Sequence, residues 1–131
     1  MSDDVTVNAF FDEVGGQAFF ERLAHAFYQH VTADDVLAPM YPPDDLPGAE
    51  RRLALFLTQY WGGPTTYSQE RGHPRLRMRH MPFKVNPEAR DHWLTCMRLA
   101  LDELAPAPAA RAAFDDYFDR AAHAMLNTFD A

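Results

Sequence analysis

A chain of 131 residues, 47% of them hydrophobic, can bury one core but not two, so we expect a single domain over residues 1–131. The formal charge of -7 argues against nucleic acid or an anionic membrane surface as a partner. The single cysteine, Cys96, excludes an internal disulfide and a multi-cysteine metal site.

Helical periodicity dominates the chain and strand alternation appears nowhere for long, which predicts an all-α fold. Residues 1–8 form a polar tail that we expect to fray, and Ala9–Val14 can form at most a short helix before a glycine pair. Gln17–Thr32 is predicted to be an amphipathic helix with its large apolar side chains on one stripe. Four prolines within Ala33–Pro47 forbid a long helix there.

The middle of the chain predicts one more long helix and then a break. Ala49–Trp61 has helical spacing and is stopped by Gly62-Gly63-Pro64. Its predicted inward-facing residues are the large apolar ones, Leu53, Phe56, Leu57 and Tyr60. Thr65–Arg75 is predicted to be irregular, and Leu76–Met81 to make a turn or two of helix.

Two further long helices complete the predicted fold. Asn86 as N-cap and Pro87 at the first helical position start a helix that runs to about Leu104 and buries Trp93. After a proline-containing break, the last helix covers about Ala109–Thr128. We expect a cytoplasmic protein without membrane insertion, since no apolar stretch is long enough to span a bilayer and the N-terminus lacks a basic leader.

The histidines are the obvious candidates for binding a metal or cofactor, and their context separates them. Surface exposure is the simpler interpretation for three that lie on predicted helices among polar neighbours, His25, His30 and His92. His123 is interpreted as structural, and His73 either contacts a ligand or caps a loop. A bare-metal site shared by His73 and His80 is not supported, because Pro74 breaks any helix that would place both on one face.

One segment frames a histidine in an unusual way. Residues 71–83 read Arg-Gly-His-Pro-Arg-Leu-Arg-Met-Arg-His-Met-Pro-Phe, so His80 lies in a very short stretch that Pro82 closes. Just upstream, the run Tyr60–Pro64 ends a helix rich in large apolar side chains. A neutral imidazole directed at apolar walls is what an axial haem ligand requires.

Together with Gly15-Gly16 and Trp93, these runs resemble a truncated haemoglobin, most closely of group II. The resemblance extends from about Phe10 to Trp93 and continues more weakly to Phe129. It implies a globin-like, truncated two-over-two helical sandwich with His80 as the proximal, iron-binding residue. The implied cofactor is haem b (protohaem IX with its iron), held noncovalently because the chain has no Cys-x-x-Cys-His motif.

The resemblance also assigns the distal side of the haem. Ala49 occupies the position where many globins carry a distal histidine, and an alanine cannot donate a hydrogen bond. Donors to a diatomic ligand would then be Tyr28, Tyr41 and Trp93, with Leu53 beside them. Without the resemblance, Tyr28 and Trp93 would be interpreted as ordinary core residues on apolar stripes.

The remaining cofactor contacts follow from the same comparison. Apolar walls are expected from Phe27, Leu53, Phe56 and Leu57, with Met81, Phe83 and Met97 nearer the proximal face. Candidates for the haem propionates are Arg52, Tyr67, His73 and Arg79. For each arginine, the alternative is a solvated surface charge.

Three functions remain open at the level of the sequence. The first is a globin that reversibly binds dioxygen and other diatomic gases, as a monomer or homodimer. The second is a redox enzyme on the same haem, detoxifying nitric oxide or acting like a peroxidase, with an external electron donor. The third is a helical interaction module that keeps the globin skeleton without haem.

Overall fold

The computed structural model describes residues 10–41, 43–73 and 85–126, and all regular structure within these ranges is helical. Residues 10–14 form a short helical stretch. The longer elements are α1 (Gly16–Thr32), α2 (Leu46–Tyr60), α3 (Thr66–Arg71), α4 (Pro87–Leu104) and α5 (Pro108–Ala124), with 3₁₀ turns at Ala38–Met40 and Pro43–Asp45. This confirms the all-α prediction. Within these ranges, no helix is long and apolar enough to cross a bilayer.

The core lies where α1 packs against α2 and α4, and where α4 packs against α5. Its largest fully buried side chains come from all four of these helices: Phe20, Leu23, Phe27 and Val31 on α1, Leu57 and Thr58 on α2, Met97 and Leu101 on α4, and Phe114 on α5. Burying each large apolar side chain contributes roughly 1.5–3 kcal/mol relative to exposure. These contacts hold the four long helices around the space described below.

Helix α4 begins as the sequence predicts. The Asn86 side chain accepts a hydrogen bond from the backbone N–H of Ala89 at 2.8 Å, and Pro87 occupies the first turn. The helix ends at Leu104, and Ala105 caps it in the left-handed conformation with a φ of 50°. Helix α5 is shorter than predicted, because a turn at Met125 replaces its last residues, and residues 127–131 lie outside the described ranges.

Three predictions need correction. Thr65–Arg75 is not irregular throughout, because Thr66–Arg71 forms α3. The side chain of Gln59 accepts from the Ser68 N–H at 2.9 Å and donates to the Ser68 hydroxyl at 2.7 Å, so a contact from α2 stabilises this short helix. Tyr60 is not inward-facing but 49% exposed, with its ring against that of Tyr117. Trp93 is only partly buried. The helix predicted over Leu76–Met81 lies outside the described residues.

Gly63, just after α2, lies where a side chain has no room. A Cβ there would approach the Phe11 ring to 2.6 Å and the Thr58 methyl to 2.7 Å. The Phe11 ring cannot easily move away, because it stacks on Phe20. We therefore expect Gly63→Ala to lower the free energy of unfolding by about 1–3 kcal/mol in chemical denaturation.

A matched control is Gly48→Ala, within the first turn of α2. The nearest atoms to a Cβ there are the ends of the Arg52 and Asp45 side chains, which can rotate away, and alanine favours a helix over glycine. Gly48→Ala should change stability little. If both variants were equally stable, the tight packing at Gly63 would not constrain the end of α2.

Candidate functional site

A cavity of about 520 Å³ opens between α1, α2, α4 and α5. Its size falls within the range of about 300–1,000 Å³ that is usual for small-molecule and cofactor sites. Most of its wall is aromatic or aliphatic. The lining side chains among the described residues are Phe27, Tyr28, Leu37, Met40, Tyr41, Asp45, Ala49, Arg52, Leu53, Phe56, Leu57, Tyr67, Arg71, Val85, Ala89, Trp93, Tyr117, Phe118, Ala121, Ala122 and Met125.

Three polar aromatic side chains meet in this cavity, each from a different element. Tyr28 comes from α1, Tyr41 from the turn before α2, and Trp93 from α4. The rings of Tyr28 and Tyr41 meet edge to face with centroids 5.5 Å apart, and Trp93 packs on Phe27 at 5.1 Å. The Trp93 indole lies beside the Tyr41 phenol, close enough for its N–H to lower the pKa of that phenol. The cavity therefore brings this indole and these two phenols together, in a wall that is mostly apolar.

Both phenols keep their protons at neutral pH. Burial raises the pKa of Tyr41 to about 12, although the hydrogen bond from Trp93 acts in the opposite direction. Burial, together with the neighbouring Tyr41, raises the pKa of Tyr28 still further above its usual value. A protonated phenol has an O–H to donate, so both tyrosines are hydrogen-bond donors over the physiological pH range.

The structure places most of the predicted apolar residues at this cavity. Leu53, Phe56, Leu57 and Phe27 line it, whereas Met97 is fully buried in the core and is not among its lining residues. The contribution of α5 was missed from the sequence: Tyr117, Phe118, Ala121, Ala122 and Met125. These residues fall within the predicted last helix, but helical spacing does not show which apolar side chains face a cavity and which face another helix.

Two arginines lie at the cavity, and one was not predicted. Arg52 lines it and donates to the carboxylate of Asp45 at 2.6 Å. Arg71, at the end of α3, also lines it, with its guanidinium 6.0 Å from the centre of the Tyr67 ring. Tyr67 lines the cavity as predicted and is 4% exposed. His73 is exposed and not among the lining residues.

His80, the predicted proximal residue, lies outside the described ranges, as do Arg79, Met81 and Phe83. The residues on either side of this part of the chain, Arg71 and Val85, both line the cavity. No histidine of the described ranges lines it. Those ranges also contain no cluster of three or more side chains suited to hold a bare metal ion.

Comparison with known proteins gives the family. A model of the bacterial-like globins matches residues 9–127. The group 2 truncated haemoglobin YjbI of Bacillus subtilis is 37% identical over 119 residues, covering 91% of this chain and 89% of that protein. The chain belongs to the truncated haemoglobins, in group II.

Solved structures of this family agree with the fold. A thermostable haemoglobin from Thermobifida fusca has 55% sequence identity and a TM-score of 0.89, with 92% of this chain and 98% of that chain covered. A truncated, oxygen-avid haemoglobin from Bacillus subtilis has 36% identity and a TM-score of 0.84, with coverage of 90% and 98%. These similarities confirm the predicted truncated two-over-two helical sandwich.

Membership of the globin family implies haem binding and diatomic gases as ligands, and the cavity of this truncated haemoglobin fits such a cofactor. Its aliphatic and aromatic walls suit the faces of a flat apolar macrocycle. Arg52 and Arg71 lie at this cavity and carry the positive charge that carboxylates at the edge of such a macrocycle would require. The donors of Tyr28, Tyr41 and Trp93 suit a small polar ligand held above one of its faces.

Proposed function

We propose that this chain holds haem b noncovalently in the cavity, with His80 as the proximal ligand, and reversibly binds dioxygen and other diatomic gases. The observation that carries the proposal is the meeting of Tyr28, Tyr41 and Trp93 in a mostly apolar cavity. When bound, haem iron supplies an open coordination position for a diatomic gas. The whole of residues 1–131 forms one globin domain in this proposal.

The position of His80 in the chain supports its assignment. Arg71 and Val85 both line the cavity, and His80 lies between them in sequence. The histidines of the described ranges lie on other parts of the surface or in polar pairs with carboxylates. An imidazole from the intervening segment is therefore the best candidate for the proximal ligand.

The distal residues act by donating hydrogen bonds. The O–H groups of Tyr28 and Tyr41 remain protonated because burial raises both pKa values. The Trp93 indole N–H and the Tyr41 O–H lie beside each other at the cavity, where either can donate to a ligand. Ala49 lines the same cavity and contributes no donor, so Tyr28, Tyr41 and Trp93 are the donors proposed for a diatomic ligand. Donors of this kind favour ligands that carry partial negative charge.

The apolar walls and the rim hold the cofactor. Phe56 and Leu57 exclude water from the cavity, which protects a reduced metal centre from oxidation. Arg52, Arg71 and Tyr67 are the described residues best placed for the propionates, with His73 and Arg79 as further candidates from the sequence. Because Arg52 already pairs with Asp45, a propionate would share this arginine with that carboxylate.

Titration of the purified, haem-free protein with haemin tests the proposal. We expect saturation at one haem per chain and an absorption spectrum that changes reversibly when dioxygen or carbon monoxide is added to the reduced protein. A protein that remained colourless with excess haemin would exclude this function and favour a helical module without a cofactor.

Redox chemistry on the same haem is a second candidate. Three donors around one ligand slow its release, which suits chemistry on the ligand better than transport, and one relative of known structure is itself described as oxygen-avid. Turnover would need an external electron donor. Rapid mixing of the oxygen-equilibrated protein with nitric oxide tests this function. Oxidation no faster than oxygen release would exclude nitric oxide detoxification.

Two further expectations belong to this proposal. A homodimer would show as a doubled mass in sedimentation equilibrium at micromolar concentration. A cytoplasmic location would show in fractionation of cells that produce the protein. Neither outcome bears on the chemistry at the cavity.

A further inference from the structure

The turn after α1 is built around one carboxylate. Asp34 Oδ1 accepts the backbone N–H groups of Val36 and Leu37, both at 2.9 Å. The backbone carbonyl of Asp34 accepts from the N–H of Ala38 at 2.9 Å. Three consecutive amide groups are therefore fixed by one residue, and they lead directly into the 3₁₀ turn Ala38–Met40 and then Tyr41.

The second oxygen of the same carboxylate reaches another element. Asp34 Oδ2 lies 2.8 Å from Nδ1 of His92 on α4, 58 residues away in the sequence. The Asp34 side chain is only 17% exposed, and that of His92 is 39% exposed. The contact is partly shielded from solvent, so it is less weakened by water than a pair on the open surface.

The two segments that this contact joins carry Tyr41 and Trp93. His92 directly precedes Trp93 on α4, and Asp34 fixes the start of the turn that ends at Tyr41. Trp93 and Tyr41 both line the cavity, and the Trp93 indole lies near enough to the Tyr41 phenol to act on its pKa. A shift of the turn relative to α4 would change the spacing of these two side chains, because each is attached to one side of the contact.

We propose that Asp34 and His92 are positioning residues, a clamp that holds Tyr41 and Trp93 in register for ligand binding in the cavity. The inference rests on the proposed function, since it assumes that these two side chains contact the ligand. Asp34 and His92 do not line the cavity among the described residues and act only through Tyr41 and Trp93.

The contact between Asp34 and His92 depends on pH, because both side chains titrate. Burial acts to raise the pKa of Asp34, but the hydrogen bonds from His92, Leu37 and Val36 outweigh it and lower that pKa. The hydrogen bond to Asp34 raises the pKa of His92, with smaller contributions from Glu88 and Asp91. The other titratable group near Asp34 is the Cys96 thiol, whose pKa burial raises to about 11, so it stays neutral.

The pH dependence of the clamp follows from the directions of these two pKa shifts. The contribution of Asp34 is present above the usual carboxyl pKa and is lost as pH falls through its lowered value. The contribution of His92 is full below about pH 6.5 and is lost as pH rises through its raised value. The clamp is therefore strongest in mildly acidic solution and weakens above neutrality, where only the neutral imidazole N–H remains to donate.

Two substitutions and their combination test the clamp. Asp34→Asn keeps an oxygen for the Val36 and Leu37 amides but removes the charge that faces His92, and His92→Gln removes the imidazolium. We expect each to accelerate oxygen release from the haem-loaded protein about three- to tenfold at pH 6, with the double variant no faster than the faster single one. The wild-type release rate should rise with pH, and this dependence should disappear in His92→Gln.

A matched control is His30→Gln. His30 also pairs with a carboxylate of α4, that of Glu103, but at the far end of the helix from Trp93. This variant should leave oxygen release and its pH dependence unchanged. If all three single variants changed release equally, or if Asp34→Asn and His92→Gln lowered only the thermal stability, Asp34 and His92 would not be positioning residues.

Nuclear magnetic resonance gives readouts that do not depend on ligand release. The pKa of His92 should be raised in the wild type and fall in Asp34→Asn, and the Trp93 indole N–H should exchange with solvent faster in that variant. An unchanged His92 pKa would overturn the clamp. Both signals exist without haem, so a protein that failed to bind haem would reject the proposed function while these measurements still decided the clamp.

Discussion

Replacing His80 with alanine is expected to abolish stable haem retention. If His80 supplies the only bond between the protein and the iron, its loss leaves the cofactor held by apolar contacts and by the cations Arg52 and Arg71. We expect haem to pass from His80→Ala to an excess of a high-affinity acceptor protein at least about a hundredfold faster than from the wild type, which corresponds to about 2.7 kcal/mol or more of lost binding. The transfer is followed by absorbance.

The control for this experiment is His73→Ala. His73 lies in the same part of the chain, but it is exposed and does not line the cavity. Its loss should change haem transfer by less than about threefold, even if it assists a propionate. Imidazole added to His80→Ala should restore a wild-type spectrum by filling the vacated position. An unchanged spectrum and unchanged haem retention in His80→Ala would show that another residue binds the iron.

Local signals made some parts of the fold predictable. The N-cap and first turn of α4 depend on Asn86, Pro87 and the amide of Ala89, all within four residues, so sequence alone located them. Helix α3 could not be located in this way. Its stabilising hydrogen bonds come from Gln59 on another helix, and its six residues are too few to form a stable helix alone.

At the site, too, the sequence identified some residues but not those whose role depends on contacts distant in the chain. Tyr28, Tyr41 and Trp93 were selected through the family resemblance, and the structure places all three at one cavity; their role as donors stays a prediction. His92 was interpreted as an ordinary surface histidine, because its partner Asp34 is 58 residues away. Arg71 was missed because the loop that was predicted around it gave no reason to direct its side chain inward.

The last prediction concerns Trp93, which lies at the cavity with Tyr28 and Tyr41. Trp93→Phe keeps most of the ring that packs on Phe27 and Phe118 but removes the indole N–H. The single indole N–H can donate either to a ligand or to the neighbouring Tyr41 phenol, so its loss removes a donor at the cavity in either case. A hydrogen bond to a partly charged acceptor contributes about 1.5–3 kcal/mol, which predicts oxygen release about ten- to a hundredfold faster.

Companion variants separate the two routes by which Trp93 acts. Tyr28→Phe and Tyr41→Phe should each accelerate oxygen release less than Trp93→Phe does, because each removes one donor and leaves the indole in place. Trp93→Phe combined with Tyr41→Phe should give less than the product of the two single effects, since the two side chains are neighbours at the cavity and share one acceptor. Stopped-flow displacement of oxygen by carbon monoxide measures all four rates. If Trp93→Phe lowered thermal stability while oxygen release stayed at the wild-type rate, Trp93 would serve only to pack the cavity wall, and the ligand would depend on the two phenols alone.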